Sequence, residues 1–78
     1  MRKKELKLVI TFRTTADAMA MEKECLKQKA NGRLIPVPRA ISAGCGLSWC
    51  ADLGEEENLK KLMKEAGISE EGIHQCMV

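Results

Sequence analysis

The chain of 78 residues predicts an α+β fold: a four-stranded antiparallel sheet, ordered βαββαβ, with two helices on one face. Three observations carry this. The chain opens on a segment whose apolar residues alternate with a period of two. Two later segments repeat their apolar residues with a helical period, each between a capping residue and a stop signal. Short β-prone runs fill the spaces before and after the second of them.

Leu6, Leu8, Ile10 and Phe12 fall on one side of an extended segment, so 6–12 reads as a half-buried strand. Thr14 follows, with Asp17 three positions on. A hydroxyl there can cap the free N–H groups of a helix, and an acid suits its positive end. The helix runs to about Ala30 with Ala18, Met21, Cys25 and Leu26 facing inward, and Asn31-Gly32 is expected to stop it. Arg33 to Val37 is a second strand. Its Pro36 lacks an N–H and so belongs at a sheet edge. Residues 38–46 form a loop, and Leu47 to Ala51 a third strand. Asp52, with Glu55 three residues later, is expected to cap a second helix whose inward stripe is Leu59, Leu62, Met63 and Ala66. Gly67 ends it, and Gly72 opens a last strand, Ile73 to Met77. The predicted architecture is the ferredoxin-like one, in a single domain spanning 1–78 with a frayed basic terminus at 1–5.

Composition narrows the function. A domain of this size buries only about 60% of its unfolded surface, which favours a shallow site or one completed by a partner over a deep active site. The net charge of +2 and the presence of only two aromatics, Phe12 and Trp49, argue against nucleic-acid binding. Arg2, Lys3 and Lys4 read as a solvated tail. No apolar run reaches the ~20 residues a membrane span needs, and no signal peptide is legible, so a cytoplasmic protein is expected. Cys25, Cys45, Cys50 and Cys76 contain no C-x-x-C pair and default to free thiols in a reducing compartment.

The site follows from the topology. The first and second strands run the same way, so the loop 38–46 and the start of the first helix share one end of the sheet. This gathers Cys45 with Arg39, Arg13, Thr14 and Thr15. Nearby cations and a helix N-terminus lower a thiol's pKa. A fall from about 8.5 to about 6.5 would raise the thiolate fraction at neutral pH from roughly 3% to roughly 75%. Gly44 and Gly46 would leave the sulfur accessible, and Ser42 adds a hydroxyl donor. A glycine-rich turn holding an ordinary small residue is the plain alternative. Cys25 reads as a buried small apolar residue. Cys50, five residues further down a strand, stands about 17 Å from Cys45 and cannot pair with it. Cys76 should lie near the opposite end, so no resolving cysteine is evident. His74 and Cys76 share a strand face but supply only two metal ligands where zinc takes three or four. Trp49 should pack in the core.

The central segment, with Arg33, Leu34, Ile35, Pro36, Val37, Pro38 and Arg39, then Ile41, Ser42, Cys45, Gly46 and Leu47, resembles a small bacterial and archaeal family described as putative selenium/sulfur carrier-like proteins. The likeness extends over nearly the whole chain, through Thr11-Phe12, Thr14-Thr15, Ala18 to Glu22, and Glu65 to Ile68. The resemblance implies that Cys45 and Arg39 are the shared site residues. It further implies that Cys45 holds sulfur as a persulfide, or selenium in the equivalent form, between a protein donor and a protein acceptor. No other cofactor is implied, and the protein reads as a carrier or binding protein rather than a stand-alone enzyme. The Cys-Pro-x-Pro motif of sulfur-relay carriers is absent. Two other readings stay open: a regulatory or interaction module binding an anionic metabolite or a protein through 38–46, and transient metal binding through Cys45 and a partner's ligands.

Overall fold

A computed structural model describes residues 5–39, 41 and 46–78. The elements are β1 (Leu6–Thr11), α1 (Thr15–Gln28), β2 (Arg33–Pro36), β3 (Leu47–Ala51), a 3-10 turn (Leu53–Glu55), α2 (Glu56–Ala66) and β4 (Gly72–Met77). The four strands form one antiparallel sheet in the order β2-β3-β1-β4. This is the ferredoxin-like βαββαβ topology expected. β1 and β2 each end one residue earlier than read from the sequence.

Alternation along the strands divides the sheet into two faces. Leu8 and Ile10 of β1, with Phe12 just beyond it, and Trp49 and Ala51 of β3 join Ala18, Met21 and Cys25 of α1 and Leu59, Leu62 and Met63 of α2 in one core. Both helices therefore cover the same face. Trp49 is buried as expected, and its indole N–H donates to the Asn31 carbonyl at 3.0 Å. The outer face carries Val9, Thr11, Ser48 and Cys50, also buried.

Thr14 caps α1 as anticipated. Its backbone is extended (φ −131°, ψ 153°), and its hydroxyl oxygen accepts from the Asp17 N–H at 3.1 Å. Three expectations at the helix ends need correction. Leu26 does not face inward: it is 72% exposed, because it lies one residue, about 100°, past the stripe that Ala18, Met21 and Cys25 define. α1 stops before Asn31-Gly32. Lys29 takes the left-handed conformation (φ 55°), and the Ala30 N–H reaches back to the Cys25 carbonyl at 2.8 Å. Ala66 is exposed; Gly67 (φ 73°) turns the chain, and Ile68 fills the core instead, its N–H on the Met63 carbonyl at 2.9 Å.

Asp52 makes no side-chain cap, and α2 begins at Glu56 with no capping box. The carboxylate has stronger partners elsewhere. It accepts from the Lys7 ammonium at 2.6 Å and from the Asn31 amide at 3.1 Å, while the Asp52 N–H donates to Asn31 Oδ1 at 2.9 Å. One acid thereby ties the start of β1 and the turn into β2 to the end of β3. Glu5, at the margin of the expected frayed terminus, exchanges two backbone hydrogen bonds with Val78, both 3.0 Å.

Candidate functional site

The two ends of the sheet differ in what they carry. At the upper end, β1 hands over to α1 through Arg13 and Thr14, and β2 ends at Pro36, opposite Leu47 of β3. β3 stands between β1 and β2, so the two strand ends are about 10 Å apart. The β2–β3 connection is closed by the Val37 N–H donating to the Gly46 carbonyl at 3.0 Å, and the Ile41 N–H donates to the Pro38 carbonyl at 2.9 Å. Gly46 is exposed with φ 76°, a left-handed conformation natural to glycine, and among the described residues no atom beyond its chain neighbours lies within 4 Å of where a Cβ would stand. The positive φ is by itself a reason for glycine at this turn.

Of the residues singled out from the sequence, Cys45, Ser42 and Gly44 lie outside the described residues. Arg13, Thr14, Thr15, Arg39 and Gly46 are described, and all five are exposed. Thr14 is committed to its cap, and its hydroxyl also donates to the Asp17 carboxylate at 3.0 Å. Neither Arg13 nor Arg39 forms an ion pair with another described residue. The upper end thus presents two guanidinium groups with no ion-pair partner among the described residues, and the start of a 14-residue helix.

The other three cysteines occupy different settings. Cys25 is 1% exposed on the core side of α1, and burial, reinforced by Glu24, pushes its thiol up to about 11. At pH 7 that leaves about one molecule in ten thousand as thiolate. Burial also raises the Cys50 thiol, outweighing the opposing pull of Arg33 and Lys7. Cys76 is half-buried on β4, opposite Lys7 at the lower end. All three are free thiols. His74 and Cys76 do share the outer face of β4. Among the described residues no group of three or more metal-binding side chains is assembled.

The lower end holds a groove of about 610 Å³, which the sequence did not announce. Lys7, Arg33, Cys50 and Asp52 line it, and it opens on the outer face. Its charges are largely spent: Lys7 bonds Asp52 at 2.6 Å and Glu5 at 3.2 Å, which raises the lysine's pKa and, with Asn31, lowers that of Asp52. With acids and bases balanced, the groove offers an anion little. The upper end is the better candidate for anion or thiolate chemistry. The alternation that puts Lys7 on the outer face was legible, but its distant partners Asp52 and Asn31 have no sequence signal.

No described helix is long and apolar enough to cross a membrane. The model of the family described as putative Se/S carrier protein-like matches residues 7–75, and the chain belongs to that family. No curated protein and no solved structure matches the chain.

Proposed function

We propose that this family member carries sulfur or selenium on the thiol of Cys45, in a reducing cytoplasmic compartment, receiving it from one protein and yielding it to another. Family membership over 7–75 is the observation that carries the reading. It is supported by the state of the other thiols: Cys25 and Cys50 are buried with raised pKa values, which suits packing and not nucleophilic attack. It is supported as well by the upper end of the sheet, where Gly46, the chain neighbour of Cys45, is exposed and Arg13 and Arg39 have no described anionic partner.

The chemistry is a thiol exchange at the level of sulfane sulfur. The Cys45 thiolate attacks the outer sulfur of a donor persulfide. A new S–S bond forms on Cys45, the donor's S–S bond breaks, and the donor leaves as a thiolate. An acceptor thiolate then attacks the outer sulfur and releases Cys45 as it began. No net oxidation occurs, and no second cysteine is required in this chain. Arg39, Arg13 and the N-terminus of α1 would favour the anionic sulfur, with Ser42 as a hydrogen-bond donor and Gly44 and Gly46 keeping the approach open.

The rate of thiol alkylation against pH tests this. Cys45 is expected to react with a midpoint below that of a free cysteine, and Arg39→Ala to move the midpoint upward. A Cys45 that titrates like a model thiol would remove the activated-thiol claim. A second reading, in which 38–46 binds an anionic metabolite or protein partner and Cys45 is incidental, is favoured by the same two arginines. It predicts anion binding that survives Cys45→Ser and is lost in Arg39→Ala.

A further inference from the structure

The two edges of the sheet are built differently. β2 is four residues long and ends in Pro36, which cannot donate to another strand. β4 is six residues long, and its register with β1 runs unbroken from Gly72 to Met77 without a bulge. From Gly72 to Val78 it contains no charged residue and no proline. Natural sheets protect such edges with lysine, proline, bulges or a covering element, because unpaired N–H and C=O groups template another strand. β4 carries none of the first three.

The direction of its free groups can be read from the ladder. Glu5 and Val78 exchange both of their backbone hydrogen bonds, so Val78 points its N–H and C=O toward β1. In an antiparallel pair such residues alternate with ones whose polar groups point away. Cys76 and His74 therefore also point toward β1, and Ile73, Gln75 and Met77 offer their N–H and C=O groups to the outer edge, where no described strand pairs with them.

We infer that this edge pairs with a second copy of the chain, β4 against β4, antiparallel about a two-fold axis at Gln75. This register is self-complementary. It sets Gln75 opposite Gln75 of the second copy and Ile73 opposite its Met77, and all three positions are the ones with outward polar groups. Six backbone hydrogen bonds follow, two for each of the three hydrogen-bonded pairs. The side chains agree. Met77 is 53% exposed, and its β1 neighbour Leu6 is 45% exposed. The pairing sets Met77 against the half-buried Ile73, an apolar cross-strand contact at each end of the interface. No like charges meet at the axis. On the outer face His74 comes opposite Cys76 of the second copy, in the closer, non-hydrogen-bonded type of pair. The result is a continuous eight-stranded sheet that leaves both upper ends, with their arginines, open.

Sedimentation equilibrium of the full chain tests this, with Gln75→Pro and Gln75→Lys as variants. The proline removes an N–H that faces only the edge, so the β1 ladder is kept. The lysine sets like charges across the axis. The wild type is expected to approach twice its monomer mass as concentration rises, and each variant to weaken the dimer about tenfold or more. Retained Trp49 fluorescence and circular dichroism show that the variants still fold, and the lysine variant decides if the proline variant does not. Gln75→Cys under mild oxidation should give a linked dimer whose peptide map joins the two introduced thiols, since a hydrogen-bonded pair holds Cα atoms about 5.5 Å apart, within disulfide reach. A wild type that stays monomeric, folded variants that dimerise as well as it does, or an oxidised map without that link would each overturn the inference.

Discussion

Gly32→Ala should be among the most damaging single-methyl additions to this chain. Gly32 sits at φ 118°, where L-residues are strained. A Cβ there would overlap the Trp49 indole nitrogen and stand 2.6 Å from the Cys50 carbonyl oxygen and 2.8 Å from Trp49 Cε2. The carbonyl belongs to the β2–β3 ladder and cannot swing aside. The indole is held by its bond to Asn31 and by the core around it. Backbone strain of about 1–3 kcal/mol and overpacking of about 1–3 kcal/mol act together, for about 2–6 kcal/mol in all. A chain of this length is stable by about 4–12 kcal/mol, so the variant should be close to unfolding. Urea denaturation followed by the fluorescence of Trp49, the chain's only tryptophan, measures this directly. Trp49→Phe removes the clashing nitrogen, so the double variant should lose less than the sum of the single losses. A Gly32→Ala variant within about 1 kcal/mol of the wild type would refute the reasoning, and a strictly additive double variant would remove the indole from it.

Other consequences are simpler to check. In the native protein Cys25 and Cys50 should resist alkylation at neutral pH, both reacting at rates that follow unfolding as urea is added, because burial both hides them and raises their pKa values. Asp52 has its carboxyl held down by Lys7, so its contribution is present above the ordinary carboxylate pKa of 3.8 and is lost as pH falls through the lower folded value. Lys7 is raised above 10.5, so its share is present below that value and is lost as pH rises through the folded value. The difference in urea midpoint between wild type and Asp52→Asn should therefore be flat between these limits and shrink outside them. A difference unchanged at low pH would rule the pair out as its source. Gly67→Ala, at φ 73° in open space, should cost about 1 kcal/mol through backbone strain alone, read as a thermal shift of about 4–8 °C.

The fold was legible because its signals are local and repeated. The period-two run from Leu6, the helical stripes at Ala18-Met21-Cys25 and Leu59-Leu62-Met63, the Thr14 cap and the Gly67 stop all agree with one another. What misled was competition. Asp52 has the spacing of a helix cap, but a lysine 45 positions away binds it first. Asn31-Gly32 has the composition of a helix stop, but Lys29 accepts the left-handed conformation earlier, and Gly32 is required by Trp49 across the hairpin. Neither outcome can be found without knowing which residues β2, β3 and β1 bring together. The candidate site divides in the same way. The shared upper end of β1 and β2 follows from topology, which the sequence predicts. The lower groove arises from Lys7, Arg33, Cys50 and Asp52, which no spacing connects.

The claim that this chain is a chalcogen carrier rests on Cys45, and one measurement addresses it directly. The purified, reduced protein is incubated with a low-molecular-weight persulfide donor and its intact mass recorded, beside Cys45→Ser and Cys76→Ser. The account predicts an adduct of one sulfur atom on the wild type and on Cys76→Ser, and none on Cys45→Ser. An adduct that persists in Cys45→Ser, or its absence from the wild type under conditions that load a free thiol, would contradict it.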